Sequence, residues 1–342
     1  MHTHTDLFLE ITNIENLYHS WLEFKNGKRK KRDVQLFERN LEDNLFELRN
    51  DFEKKTYQHS NYTSFYITDP KLRHIHKAVV RDRIVHHAIY RVLYPMFDKS
   101  FIYDSYSCRD DKGTHRAVNR LTVFSKKASR NYTDTCFVLK CDVRKFFDSV
   151  DHEILKGLIR ARIKDADTLA LMDGIIGSFG KDLGYINNNQ ILLDFASPKG
   201  MPIGNLTSQL FANVYLNELD QFVKHILRVR FYIRYCDDFV ILDPDKRKLD
   251  EYRQKVGDFL KSKLKIALHK DKVSIGRLSQ GIDFLGYIVK PHYRILRTKT
   301  KNRMLRRVNK KNGPSYLGLL KHCNGHELEK AVRESIENQT EE

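Results

Sequence analysis

The chain has 342 residues, 41% hydrophobic and 31% charged, and its 61 Lys and Arg against 44 Asp and Glu give a formal charge of +17. That length supports a sizeable core in two or three subdomains, and no apolar run approaches the roughly 20 residues of a membrane span, so a soluble protein is expected. The opening MHTHTDLFLE lacks a basic region followed by an apolar one, so no secretory signal is expected, and Cys108, Cys136, Cys141, Cys236 and Cys323 show no CxxC spacing. That spacing argues against a zinc site or a disulfide framework and for a reduced, cytoplasmic setting. The basic excess is concentrated in KNGKRKKRD (25–33) and RILRTKTKNRMLRRVNKKN (294–312), a distribution that favours a polyanion, most often nucleic acid.

Along the chain, Val34, Leu36, Phe37, Leu41, Leu45, Phe46 and Leu48 recur at near-helical spacing after the first basic run. In RDRIVHHAIYRVLYPMF (81–97), Ile84, Val85, Ala88, Ile89, Val92, Leu93 and Met96 form one apolar stripe ending near Pro95, which predicts a helix with a buried face. CFVLKCD (136–142) reads as a strand and Asn205–Leu227 as a long helix with Leu206, Leu210, Val214 and Leu219 among its apolar positions. FYIRYCDDFVIL (231–242) reads as a hairpin, Leu249 to Leu264 as an amphipathic helix, and GIDFLGYIV (281–289) as a further strand. Strand, helix, hairpin, helix, strand implies a sheet backed by helices, an α+β architecture, with an acidic tail after Glu334 that frays.

The adjacent Asp237 and Asp238 raise a physical question, because like charges at a hairpin repel each other. An isolated acidic pair is ordinarily a solvated turn. A divalent cation would remove the conflict, since Mg²⁺ takes a few carboxylates and fills its octahedron with water and substrate phosphates. Asp142 in VLKCDVRKFFDSVD (138–151) supplies a third acid at a strand end, and three such acids suit two-metal phosphoryl transfer.

With these motifs in order, the chain resembles the reverse transcriptases. YCDD between apolar strands looks like their YxDD box and KCDVRKFFDSVD like their first aspartate motif. SPKGMPIGNLTSQLFANVYLNELD (197–220), LHKDKVSI (268–275) and FLGY (284–287) are similar to the blocks that follow. RDRIVHHAIYRVLYP and SYSCRDDKGTHRAV (105–118) resemble the finger blocks of bacterial group II intron-like enzymes, and SYLGLLKHCNG (315–325) their thumb. The resemblance implies a right-hand polymerase: an N-terminal helical and basic extension (1–60), fingers (61–130), a palm (131–290, with a fingers segment inserted around 155–200) and a short helical thumb with tail (291–342). It implies that Asp142, Asp237 and Asp238 are the catalytic acids and hold two Mg²⁺ ions, with Mn²⁺ a possible substitute. Phe147 matches a steric gate that selects deoxynucleotides, although Phe146 beside it leaves open which of the two is core. Arg73 matches an arginine gripping the triphosphate, with Lys71 the competing candidate. Lys272 matches a lysine near the leaving pyrophosphate, with Lys270 its rival.

Most members carry QGxxxSP where this chain has Ile203-Gly204-Asn205-Leu206-Thr207-Ser208-Gln209. The exchange at Ile203 and Gln209 resembles the reverse transcriptases of diversity-generating retroelements, of bacterial or phage origin, which implies cDNA synthesis with errors at template adenines. Isoleucine has no donor or acceptor where the usual glutamine can reward correct geometry, so discrimination should weaken. Alternatively, Ile203 only fills an apolar pocket. Implied partners are a template RNA, its RNA/cDNA duplex, dNTPs and a small basic accessory protein of the accessory variability determinant type. Lys28, Arg29, Lys30 and Lys31 are a candidate part of that interface, and no membrane is involved.

The rival expectations are a group II intron or retron enzyme of ordinary fidelity, an RNA-dependent RNA polymerase, which tends to need a polar residue at Phe147, and a silent RNA-binding scaffold. The chain ends soon after the thumb-like segment, so no added endonuclease domain is expected. No GxxxxGK[ST] loop is present, and HELEK (326–330) lacks the second histidine of a zincin. His86 and His87 are expected to pack or face solvent.

Overall fold

The computed structural model describes residues 6–69, 71–181 and 198–337, so the inserted segment around 155–200 is covered only in part and the tail after Glu334 only to Glu337. Helices α1 (Leu7–Thr12), α2 (Ile14–Lys25), α3 (Arg32–Arg39) and α4 (Leu41–Glu53) lead into β1 (Thr63–Ile67), β2 (Arg73–Lys77), α5 (Val80–Asp98) and α6 (Thr114–Ala128). Next come β3 (Phe137–Asp142), α7 (Phe146–Ser149), α8 (His152–Arg160), α9 (Ala166–Lys181) and α10 (Leu206–Gln221), which ends in a π-helical turn, Phe222–Ile226. The remainder is β4 (Phe231–Tyr235), β5 (Asp238–Asp243), α11 (Lys246–Lys263), β6 (Ser274–Arg277), β7 (Ile282–Phe284), β8 (Tyr287–Val289), β9 (Arg294–Leu296), α12 (Thr298–Arg307), α13 (Gly313–Leu320) and α14 (His326–Glu337). The class is α+β, as expected, and among the described residues no helix is long and apolar enough to cross a membrane.

The chain divides into two compact units that alternate along the sequence, Met1–Ile102, Val143–Asp220 and Phe259–Ala267 in the first, and Tyr103–Asp142, Gln221–Asp258 and Leu268–Glu342 in the second. In the first unit α5 packs against α1, α2 and α3. Its stripe of Ile84, Val85, Ala88, Ile89 and Leu93 is buried, as are Leu17, Trp21 and Phe24 of α2. The helix runs through Pro95 to Asp98, further than the sequence suggested. Pro95 has no N–H to give the Arg91 carbonyl, and the helix continues past that missing bond to bury Phe97. Leu36 and Phe46, counted above with the apolar stripe, are more than half exposed, whereas Val34, Leu45 and Leu48 are core.

A buried polar chain crosses this unit. Asp82 of α5, fully buried, accepts from Tyr57 Oη at 3.0 Å and from the Ser60 amide at 2.8 Å. His59 Nδ1 lies 2.6 Å from the Ser60 carbonyl, His59 Nε2 lies 3.2 Å from His86 Nε2, and His86 Nδ1 lies 2.8 Å from Thr207 Oγ1. A carbonyl only accepts, so His59 carries its proton on Nδ1 and, when neutral, accepts at Nε2. His86 must then donate from Nε2 and accept the Thr207 hydroxyl proton at Nδ1, leaving each contact with one donor and one acceptor. Burial, with His59 and His87 adding to it, holds His86 well below the usual imidazole range and so favours this neutral state.

The second unit is built on a four-stranded antiparallel sheet in the order β4-β5-β3-β6 and a three-stranded one in the order β7-β8-β9. Ala117, Val118, Leu121 and Phe124 of α6 share one core with Val138, Ile233, Val240 and Leu242 of the larger sheet, and that core continues to Phe284, Tyr287, Met304 and Leu320. Residues 281–289, expected as one strand, form instead the hairpin β7–β8. Its two turn residues, Leu285 at φ +51° and Gly286 at φ +89°, both adopt the left-handed backbone of a type I′ turn, which glycine tolerates at one of the positions.

Candidate active site

The acids are brought together because β3 and β5 are neighbours in the sheet. Their register sets Asp142, the last residue of β3, opposite Asp238, the first of β5. Opposed residues project from the same face with Cβ atoms about 5 Å apart. Tyr235 and Asp238 close a two-residue turn made of Cys236 and Asp237, so Asp237 sits at the hairpin tip. Cys236 has φ +54°, a left-handed conformation that suits the first turn residue of a tight hairpin but that a residue other than glycine adopts at a cost.

Burial pushes the Asp237 carboxyl above the usual carboxylate range, the negative Asp142 adds to this, and Lys272 pulls the other way. Lys272 Nζ donates to Asp142 Oδ1 at 2.8 Å. The loop that carries it is tied to the same strand end, because the His269 amide donates to the Asp142 carbonyl at 2.8 Å. Lys270 is exposed on that loop. Burial also pushes the Cys236 thiol well up, with Asp237 adding to the effect, so the turn's sulfur stays protonated.

These donors fit a hard divalent cation: they are carboxylate oxygens, and Asp142 is close enough to raise the cost of ionising Asp237. Among the described residues no group of three His, Cys, Asp or Glu is gathered into a ready cage. A site of a few carboxylates with water and phosphate filling the other positions is how Mg²⁺ is usually held, in contrast to an all-protein cage.

The other residues singled out in the sequence belong to the first unit. Arg73 opens β2 opposite Ile67 and is exposed, as is Lys71. The strand is tied to the 203–209 segment, since the His76 amide donates to the Ile203 carbonyl at 3.2 Å. Ile203 is half-buried and Gln209 exposed. Gly204 has φ +119°, and a Cβ there would stand 3.3 Å from Ile75 Cγ2, so both backbone and space call for glycine. Of the two phenylalanines, Phe146 is core and Phe147 half-buried, and the Phe147 carbonyl accepts from the Met201 amide at 2.7 Å. Thus Arg73, Phe147, Ile203 and Gly204 are linked through backbone bonds within one unit, and Asp142, Asp237, Asp238 and Lys272 lie together in the other.

Sequence reasoning passed over Arg234. The signal was present: an arginine follows Tyr232 on the same face of a strand otherwise made of aromatic and β-branched residues, and both are fully buried.

A model of the family described as reverse transcriptase (RNA-dependent DNA polymerase) matches residues 61–289. Protein YkfC of Escherichia coli (strain K12) is 28% identical over 249 residues, covering 64% of this chain and 63% of YkfC. The group II intron-encoded protein LtrA of Lactococcus lactis subsp. cremoris is 24% identical over 283 residues, covering 64% of this chain and 45% of LtrA. The chain thus spans less than two thirds of the length of either relative. A solved structure of apo telomerase from Candida tropicalis, truncated from its C-terminal domain, superposes with a TM-score of 0.51 at 12% identity over 73% of this chain and 59% of that one, a likeness of fold. The family match extends over well more than half of the sequence and includes both acidic strand ends, and the chain belongs to the reverse transcriptase (RNA-dependent DNA polymerase) family.

Proposed function

We propose that this chain is an RNA-directed DNA polymerase, error-prone at template adenines, that copies a template RNA into cDNA for targeted gene diversification. The observation that carries the polymerase reading is the register of β3 on β5, which sets Asp142 against Asp238 with Asp237 at the adjoining turn and Lys272 on Asp142. Divalent ions, Mg²⁺ or in its place Mn²⁺, held by these carboxylates would supply positive charge to the attacking 3′-oxygen and the departing pyrophosphate. Asp142, Asp237 and Asp238 orient that charge. Lys272 keeps an ammonium beside the leaving group. Arg73, at the exposed start of β2, offers a planar guanidinium to the triphosphate. Phe147 blocks a ribose 2′-hydroxyl. On this reading β1–β2 belongs to the fingers, β3–β6 to the palm, and α12–α14 to a thumb that grips the duplex through phosphates.

The diversity-generating subtype rests on Ile203 and Gln209 alone. A reverse transcriptase of ordinary fidelity is the second reading, and the likeness to LtrA, named as group II intron-encoded, favours it. Primer extension on a defined RNA template with a divalent cation, dNTPs or rNTPs, product sequencing and an Asp237→Ala control separates the readings. DNA that vanishes in the control, with errors at template adenines, supports the proposal, and evenly accurate DNA moves the chain to the second reading. No product, with or without a small basic partner protein, leaves a binding scaffold. In the error-prone case Ile203→Gln lowers adenine misincorporation. Lys28, Arg29, Lys30 and Lys31, between α2 and α3, are the proposed contact for that partner. Pull-down unaffected by their charge reversal would remove them from the interface.

A further inference from the structure

β4 lies at one edge of the four-stranded sheet. At Arg234 that edge is covered by a short run of chain, because Ser105 pairs with Arg234 in a parallel bridge. The Arg234 amide donates to the Asp104 carbonyl at 3.0 Å and the Tyr106 amide donates to the Arg234 carbonyl at 3.0 Å. The side chain of Arg234 is completely buried. Its Nη1 donates to the Cys236 carbonyl at 3.1 Å and its Nη2 to Ser105 Oγ at 3.0 Å.

The Cys236 carbonyl belongs to the peptide that joins Cys236 to Asp237. A peptide unit is planar, so fixing its oxygen fixes the amide and the direction in which the Asp237 Cα leaves the turn. Cys236 itself sits in the left-handed region, a state that persists only where the surroundings over-determine it. The guanidinium supplies that determination. Its fork is rigid and planar, and it reaches the carbonyl with one nitrogen and an anchored hydroxyl with the other, a span that a lysine ammonium does not reproduce.

We propose that Arg234 is a positioning residue of the active site, clamping the Cys236–Asp237 peptide against Ser105 so that Asp237 presents its carboxylate where a divalent cation is held. The inference rests on the polymerase reading of the acids, yet it concerns cation binding, which can be measured without catalysis. Residues that orient metal ligands from behind typically cost about 10- to 100-fold in metal affinity or activity when changed.

The test uses the full chain and its Arg234→Lys, Ser105→Ala and Asp237→Asn variants. Free Mn²⁺ is titrated and followed by electron paramagnetic resonance, primer extension is measured as a function of Mg²⁺, and duplex binding and melting temperature are recorded for each protein. Arg234→Lys is expected to weaken Mn²⁺ binding and raise the Mg²⁺ concentration for half-maximal extension by roughly tenfold or more, with kcat falling and the KM for dNTP and the duplex affinity little changed. Ser105→Ala, which removes one arm of the clamp without emptying the arginine pocket, is expected to move the same two quantities in the same direction by a smaller factor. Wild-type cation binding and cation dependence in Arg234→Lys, with only a lowered melting temperature, would overturn the proposal. If Arg234→Lys does not fold, an unchanged cation dependence in Ser105→Ala overturns it. Should the wild type extend no primer, the polymerase reading fails, and the Mn²⁺ titration of wild type against the variants still decides whether Arg234 positions Asp237.

Discussion

Each unit of the molecule contains a polar cluster, largely buried in the first and partly open to solvent in the second, and the two are built on opposite principles. In the first unit Tyr57, His59, Asp82, His86 and Thr207 alternate donor with acceptor, and Asp82 receives both a hydroxyl and an amide proton. In the second, Asp142 faces Asp238, Asp237 stands at the tip beside them, and Lys272 reaches only Asp142 among the bonds described above. A network whose protons are all placed holds helices to a linker and needs nothing further. A cluster of like charges at a strained turn carries an electrostatic cost that a bound cation would relieve, which is why the proposed chemistry is assigned to it.

Neutralising one member of the acidic cluster should have the largest effect. Asp237→Asn should lower primer extension by about 1000-fold or more, because several kcal/mol of transition-state charge stabilisation go with it. Its melting temperature should hold or rise, because repulsion with Asp142 is relieved. Loss of stability in step with activity, read by calorimetry, would make the acidic cluster structural after all.

The mirror experiment is Asp82→Ala. It strands the Tyr57 hydroxyl and the Ser60 amide without their acceptor, and chemical denaturation should show a loss of about 2–4 kcal/mol. In the fraction that stays folded, Mn²⁺ binding should be unaltered.

A pH series sharpens the distinction further. His86 has a folded-state pKa below its unfolded value, so the unfolded chain binds the extra proton. The stability that His86 contributes is therefore complete above the unfolded value of about 6.5 and is lost as pH falls through that window. Denaturation midpoints taken from pH 7.5 down to 5 should decline, and His86→Gln should decline less steeply than the wild type. The smallest effect belongs to Lys272→Gln: its side chain is 45% exposed, so the change should leave stability within about 0.5 kcal/mol.

Much of the second cluster was legible in the sequence, because its logic is local. Apolar strands on both sides of Cys236-Asp237-Asp238, and one acid at the end of another strand, announce a hairpin tip and a neighbour. The first cluster was not legible: His86 finds its partners 27 residues upstream and 121 downstream, and no periodicity reports such distances. His86 was read only as packing or solvated, and its part in a proton-ordered chain comes from the fold. Likewise the β1–β2 hairpin carries no apolar alternation, because Phe65, Tyr66 and Ile67 are all largely exposed. At 281–289 the apolar content was legible and the reversal within it was not, since Leu285 gives no hint that it takes a left-handed backbone.

The rung that Asp104, Ser105 and Tyr106 lay along β4 has a consequence for solution behaviour. An uncovered strand edge is a template on which another chain can grow a sheet, and proteins with charged or twisted edges avoid it. Here a loop occupies the N–H and C=O of Arg234. Variants that pull this loop away would therefore expose adhesive backbone, and light scattering on concentrated, gently warmed samples should register association between copies before any global unfolding.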